Sequence, residues 1–512
     1  MRSTVPVVWL ALIAAPWLPS GCAQVSPQTP SQIVFEKVAT VGMQVPDTQV
    51  TLDLVQSAPI SPEYFLEGGT VVFWAITKRP SRSGLFSAKD GQIKTVALMG
   101  RKDSQPNAEG IPEPFEFIPG PLGNTDIKAG GGLLYITLRF GKFRQKTRSV
   151  CIWDGEKLRP LLWRGESPAW LGGGEKIQSA GVAGISPDGS AVIVYSTEGG
   201  QYGIASYSKA AGLHPLISTA SALPGMPGVT ILKETFEPLF DDPYEKGEKG
   251  TKDWALRGRL APPALLGDWL FLVVEPSTGH PFLARIGGGK TERIVEAQTA
   301  DPTDPGFMVE EIRSFKAVTP DVVAVEIDGG KADRRLLVSD KGKLSRIYQS
   351  AGAYEEVAAR LGFKDANGVE EMGDLQVASP ATKSFCALFD ERSRFTFYVT
   401  QVRCFDGTKM SNVTGQARIG RNANNVLRAI PGLPGVLVID ADFTAAVRHA
   451  DRQISHWIVT GNAVGQDLQP APDIYSSGSA KYTVGEVIGV DAARQIAWLR
   501  LSDGYYKVHS GN

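Results

Sequence analysis

Thr95-Val96-Ala97-Leu98-Met99-Gly100 is a short apolar strand that stops in a small-residue turn, and it recurs. Lys37-Val38-Ala39-Thr40-Val41-Gly42 and Pro160-Leu161-Leu162-Trp163-Arg164-Gly165 have the same form, with weaker copies at 215–218, 293–297, 345–350, 411–415 and 455–461. The spacing defines a unit of about 60 residues, and self-similarity at such a period marks a repeat architecture. Upstream of a copy comes a turn with its paired strand. Examples are Gly84-Leu85-Phe86-Ser87 before Asp90-Gly91, Val150-Cys151-Ile152-Trp153 before Asp154-Gly155, and Leu336-Leu337-Val338-Ser339 before Lys341-Gly342. Upstream again lies a longer, more apolar strand, at 70–76, 133–138, 191–195, 268–274, 322–327, 385–389 and 436–439.

Four short strands per unit, joined by Gly, Pro, Asp and Asn turns, make a propeller blade. One blade buries its sheet faces only against its neighbours, so a row of them must close into a ring. The last unit offers three strands, at 484–490, 496–501 and 505–509, and its missing fourth is present at the other end of the chain, at 33–41. The expected fold is therefore all-β, a single β-propeller of about eight four-stranded blades closed by an N-terminal strand that completes the last blade. Seven blades is the alternative if the weakly patterned region 353–470 holds one unit fewer. One helix is expected there, because Tyr354, Val357, Ala358 and Leu361 fall at i, i+3, i+4 and i+7 ahead of Gly362. The stretch 224–259 is the longest irregular one.

The whole sequence has 512 residues, 42% hydrophobic and 21% charged, enough to bury a large core. Lys+Arg 53 against Asp+Glu 54 leaves a net charge of -1, so no global field recruits nucleic acid. No apolar run beyond the N-terminal region reaches the roughly 18 residues of a membrane span. Residues 1–22 read as an export signal: Arg2 supplies the positive start and 5–18 the apolar stretch, with Pro6 and Pro16 inside it. Residues 23–32, rich in Pro, Ser and Gln, read as a flexible tether, and 33–512 as the propeller.

Leu18-Pro19-Ser20-Gly21-Cys22 resembles a bacterial lipobox, which carries Leu three residues before the lipidated Cys; here Pro19 holds that position and the Leu lies one step further back. The resemblance implies lipidation at Cys22, and Ala23 in the place of Asp implies outer-membrane sorting, facing the periplasm or the cell surface. Cleavage after Ala23, giving a secreted soluble protein, is the alternative. The repeats themselves resemble those of bacterial exported β-propeller proteins with tandem NxxGxxAF-type repeats. In Leu66-Glu67-Gly68-Gly69-Thr70-Val71-Val72-Phe73 the Gly and Phe match, while Leu66 replaces Asn and Val72 replaces Ala. Ser186-Pro187-Asp188-Gly189 also resembles the SPDG turn of TolB-type propellers. These resemblances imply architecture and surface location, and carry over no catalytic residue.

Chemistry is sparse. Gly287-Gly288-Gly289-Lys290-Thr291 lacks the earlier Gly of a phosphate loop and leads into a strand, so it reads as a hairpin turn. There is no GxSxG and no HExxH. His214, His280, His449, His456 and His509 are scattered, and no metal site, cofactor site or catalytic set is assigned. Asp301-Pro302-Thr303-Asp304-Pro305-Gly306 has calcium-loop composition without the ligand spacing and reads as a turn. Asp241, Asp242, Asp253, Glu310 and Glu311 read as solvated loop acids. Arg139, Lys142, Arg144, Lys146 and Arg148, interleaved with Phe140 and Phe143, read as an exposed edge guarded by charge, or alternatively as a polyanion contact. With Cys22 lipidated, Cys151, Cys386 and Cys404 remain; a two-residue turn near Arg392-Ser393 places Cys386 opposite Val399, which does not favour a disulfide to Cys404.

The function expected from these features is that of a non-catalytic, membrane-tethered propeller that binds an envelope protein or glycan, without nucleic acid. The alternative is an envelope or secreted polysaccharide-active enzyme, hydrolase or lyase, with acids gathered in the propeller funnel.

Overall fold

The computed structural model describes residues 33–510 apart from 56–63, 67, 79–81, 103–104, 119–124, 141–146, 187, 241–261, 330–333, 350–368, 380–382, 393–397, 413–425, 430–435, 445–451, 461–485, 492–495 and 502–503. Among these described residues, strands pair antiparallel into eight successive blade sheets, with a separate two-stranded hairpin, Thr299–Asp301 and Asp304–Val309, between the fourth and fifth. Blade 1 ends in Thr70–Lys78, Arg82–Lys89 and Gln92–Leu98, and blade 2 runs from Thr125–Gly130 to Leu158–Leu162. Blade 3 runs from Ile177–Ile185 to Gly212–Ser218, blade 4 from Ala264–Leu266 to Lys290–Glu296 and blade 5 from Glu311–Thr319 to Lys343–Gln349. Blade 6 spans Val369–Ser379 to Met410–Asn412, and blade 7 shows Val426–Ala429, Val436–Thr444 and Arg452–Thr460. Blade 8 is Glu486–Asp491, Ile496–Leu501 and Gly504–Ser510, completed by the N-terminal strand Ile33–Thr40.

From blade 1 to blade 7 the first strands of consecutive blades touch each other, which puts them around the axis, and the first strand of blade 8 meets Tyr64–Leu66 of blade 1. The fold is thus a β-propeller whose N-terminal strand completes the last blade, as the sequence predicts. A second sign of this closure lies in the outer strands. In six of them one residue is skipped in the pairing with the third strand: Val38, Val96, Leu161, Leu216, Ile294 and Ile347. A β-bulge of this kind sets two residues against one and re-aims the side chains around it. It breaks strict alternation, which is why these strands read in sequence as short continuous apolar runs. Ile33–Thr40 carries the same irregularity as the outer strands of blades 1 to 5.

The longer apolar strands are the second strands of their blades, and both of their faces are buried. In blade 5, Val323, Val325 and Ile327 pack towards blade 4, while Val322 and Ala324 pack towards blade 6. In blade 1, Val71, Phe73 and Ala75 meet Trp498 and Tyr505 of blade 8, while Val72 and Trp74 meet Leu134 and Ile136 of blade 2.

Several expectations change. Blade 1 has six strands in its sheet: its inner strand comes in two pieces, Val50–Val55 and Tyr64–Leu66, both paired to Thr70–Lys78, and Gln44–Val45 pairs with Val50–Val55. The extra hairpin Gln44–Val45 curls back onto the outer strand, where Asp47 accepts hydrogen bonds from the Thr95 amide at 2.7 Å and its hydroxyl at 2.8 Å. The copy expected at 455–461 falls on the third strand of blade 7, not the fourth. Cys386 lies opposite Cys404 and is bonded to it. Five residues, 393–397, separate the paired strands, and this longer turn shifts the register that a two-residue turn would set. Within 224–259, Ile231 and Phe236 are buried in the core between blades 3 and 4. The helix expected at 354–361 lies outside the described residues.

Candidate binding face

Each blade runs first strand down, second up, third down and fourth up, so every blade-to-blade connection starts and finishes on one face of the ring. The turns between second and third strands share this connection face, while the other face carries the turns between first and second and between third and fourth strands, such as Gly131-Gly132, Gly288-Gly289 and Lys341-Gly342. These are tight enough that Asp90, Lys341 and most of their glycines take positive φ. Long connections on a rigid scaffold are where binding residues concentrate.

Two connections drop into the outer grooves between blades and climb back. Between blades 1 and 2, Ala108 bridges Leu158 at the bottom of its descent, and Phe117 returns to bridge Met99, with Phe115 and Phe117 buried. Between blades 3 and 4, Gly225 comes against Lys290, then Ile231 bridges Pro276 and the short helix Glu237–Phe240 crosses towards blade 2. There Phe240 offers its carbonyl and its ring to Arg148.

Arginines fix these segments. Arg164 donates to Glu113 from Nε at 2.6 Å, and the Trp163 indole donates to the same carboxylate at 3.2 Å. The Arg164 guanidinium lies 4.2 Å from the centre of the Phe140 ring. Its hydrogen bonds hold Glu113 below the usual carboxylate range. The hairpin Thr299–Asp301 and Asp304–Val309 is pinned to blade 5 in the same manner. Arg335 donates to the fully buried Asp301 at 2.9 Å, pairs with Asp304 at 3.2 Å and stacks 3.5 Å from the Phe307 centroid. Arg346 reaches Asp304 at 3.2 Å.

Blade 5 also buries Glu326 and Asp328 two residues apart on its second strand, the side towards blade 6. Arg313 Nε donates to Asp328 at 2.6 Å, and the Ser314 hydroxyl donates to Glu326 at 2.8 Å. Burial raises the Glu326 carboxyl above its ordinary range, and the neighbouring Asp328 charge adds to this. The pair sits between blades, one strand removed from the axis.

Among the described residues, four large apolar side chains stand out into solvent: Met308 at 54%, Val41 and Met99 at 44%, and Leu232 at 40% exposure. All four belong to blade-to-blade connections and lie on the face where these start and finish. Val41 and Met99 hold matching places, each directly after an outer strand and before a glycine at positive φ.

The residues singled out in the sequence fare unevenly. Cys22, Asp241, Asp242, Asp253, His449 and the basic tip Lys142, Phe143, Arg144 and Lys146 lie outside the described residues. Arg148 is buried, so at that position the charge does not guard an exposed edge; it holds the helix Glu237–Phe240. Glu311 opens the first strand of blade 5 beside Arg313 instead of lying in a loop. Gly287-Lys290 closes a hairpin, and Asp301 accepts from Thr303 in a turn. His214 and His280 are exposed on different blades. Cys151 is buried, and burial pushes its thiol pKa up. The arginine clamps escape sequence reasoning because each partner comes from a distant part of the chain; Trp163-Arg164 at the end of a repeat copy is the only trace of one.

The architecture defines the class: a β-propeller with one face bearing the connections between blades. No family model matches the chain, and no curated protein does. Among solved structures it is similar to the β-propeller domain of the Trilobed protease from Pyrococcus furiosus, with 9% identity, 76% of this chain and 96% of that chain covered, and a TM-score of 0.34. It is also similar to the polysaccharide lyase Uly1, with 11% identity, 77% and 92% coverage and a TM-score of 0.35. A third is the Cps50 (Swd1) β-propeller domain of Myceliophteria thermophila, with 13% identity, 76% and 96% coverage and a TM-score of 0.30.

Proposed function

We propose that this propeller is a non-catalytic binding or scaffold protein of the bacterial cell envelope, exported by residues 1–22, tethered through a lipid on Cys22, and engaging an envelope protein or glycan through its connection face. The observation that carries the reading is the gathering of Val41, Met99, Leu232 and Met308 on that face. Single exposed apolar residues are ordinary on a surface, but their confinement to one side of a ring sets that side apart. The clamps Arg164 to Glu113 and Arg335 to Asp301 support the reading, since they hold the connections in fixed positions for docking. The disulfide Cys386–Cys404 supports export, because such bonds persist in oxidising compartments.

The test is chemical crosslinking in intact cells, with mass spectrometry of the mature N-terminus and of whatever is joined to the protein. Lipid on Cys22 and one reproducible envelope partner support the proposal. An unmodified N-terminus at Gln24 with no partner overturns the tether and moves the weight to a soluble polysaccharide binder or enzyme.

A further inference from the structure

The place where the tether enters the ring sets the orientation of the whole molecule. The fourth strand of a blade rises from the turn face to the connection face, and Ile33–Thr40 occupies the fourth position in blade 8. Its register runs from Ile33 opposite Ser510 to Thr40 opposite Gly504. Ile33 therefore lies on the turn face, and Val41 emerges on the connection face.

Residues 23–32 link Cys22 to Ile33. Ten residues reach about 33–36 Å when fully extended. The strand from Ile33 to Thr40 rises about 23 Å. To lay the connection face on a bilayer, the tether would have to climb this whole edge, consuming most of its extended length. Leaving from the turn face demands nothing of this kind. The turn face is also suited to a headgroup surface: Lys89, Asp90, Lys209, Asp268, Lys290 and Lys341 are exposed there, and the large exposed apolar side chains of the described residues are all on the opposite side.

We infer that the lipid-tethered ring rests with its turn face towards the bilayer and its connection face turned away, open to a partner in the aqueous compartment. The inference rests on lipidation at Cys22 as proposed above. It identifies the membrane-facing surface as that of the tight turns and separates it from the binding surface.

The experiment uses the full chain, processed in a bacterium with lipoprotein machinery and reconstituted into vesicles of phosphatidylethanolamine and phosphatidylglycerol that carry an acceptor dye on the lipid. Donor dye is placed at single new cysteines in matched pairs, Lys89→Cys against Met99→Cys in blade 1 and Lys343→Cys against Met308→Cys beside blade 5. Cys151 is buried and Cys386 and Cys404 are bonded, so the label goes to the new thiol. Across a ring about 23 Å deep, energy transfer to the membrane is expected to be roughly twofold or more higher from Lys89→Cys and Lys343→Cys than from their partners. Inserting a Gly/Ser stretch of about 30 residues after Gln32 should erase the difference, because the coil then reaches past the depth of the ring. Equal or higher transfer from Met99→Cys and Met308→Cys, on protein that floats with the vesicles and carries lipid on Cys22, overturns the orientation alone. Protein that does not float and has an unmodified Cys22 overturns the tether, and the orientation with it.

Discussion

Trp498 is where the ring closes, and its removal should open the molecule at one seam. The indole is 6% exposed, lies 4.8 Å from the Phe65 ring by centroids, and shares a core with Phe73 and Tyr505. It presses on Gly69 so closely that a Cβ there would sit 2.6 Å from it. Trp498→Ala deletes a buried aromatic side chain at the junction of blades 8 and 1, a change that costs about 3–5 kcal/mol. At roughly 1.4 kcal/mol per tenfold, opening of this seam becomes about 10² to 10³ times more frequent or somewhat beyond. Hydrogen exchange with mass spectrometry reads it directly, because amides held by local opening report the free energy of that opening. The strands Ile33–Thr40 and Gly504–Ser510 should exchange faster by that factor, while Leu133–Phe140 of blade 2 changes little. Trp498→Phe, which keeps a ring against Phe65, should fall between. Acceleration below about tenfold in Ile33–Thr40, or an equal effect in blade 2, would refute a seam closed by this contact.

Asp301→Ala strips Arg335 of its buried partner and should destabilise the protein by about 3–5 kcal/mol. The double variant with Arg335→Met should recover much of this in thermal unfolding; an Asp301→Ala effect below about 1 kcal/mol would sink the clamp. The disulfide closes a separation of 18 residues, so replacing Cys386 and Cys404 by Ala should lose about 3 kcal/mol, and a thiol titration of the native protein should find Cys151 unreactive until the chain unfolds. Glu113 and Glu326 pull stability in opposite directions with pH. Glu113 titrates below its ordinary range, so its contribution is complete at neutral pH and is lost as acid protonates it in the folded state. Glu326 titrates above its ordinary range, so the folded protein holds the extra proton and stability falls as pH rises from that range towards its folded value. Glu326→Gln should remove this decline in denaturant melts between mildly acidic and alkaline pH, and a decline that persists unchanged would rule out Glu326 as its source.

Much of the ring is legible in the sequence because its rules are local. A second strand buried on both faces is apolar at nearly every position, and 71–76 and 322–327, where Glu326 is the exception, announce this in sequence. The bulge in the outer strands leaves its mark too, as short apolar runs that stop at glycine. What escapes is set by longer-range geometry. The register of Cys386 against Cys404 depends on the length of a turn whose composition does not announce it. The hairpin Gln44–Val45 curls onto blade 1 through Asp47 and Thr95, partners 48 residues apart. The placing of the exposed apolar residues is illegible for the same reason: Val41, Met99, Leu232 and Met308 look ordinary singly, and only the strand directions of the closed ring bring them to one side.

Docking of an envelope partner on one face of this propeller is best tested by placing a photoreactive residue at Met308 or Met99 and comparing it, in intact cells, with one at Lys343 or Lys89. Docking through the connection face predicts one reproducible adduct at both Met308 and Met99, and none from the turn face. Adducts from Lys343 and Lys89 alone, or none from either face, would contradict it.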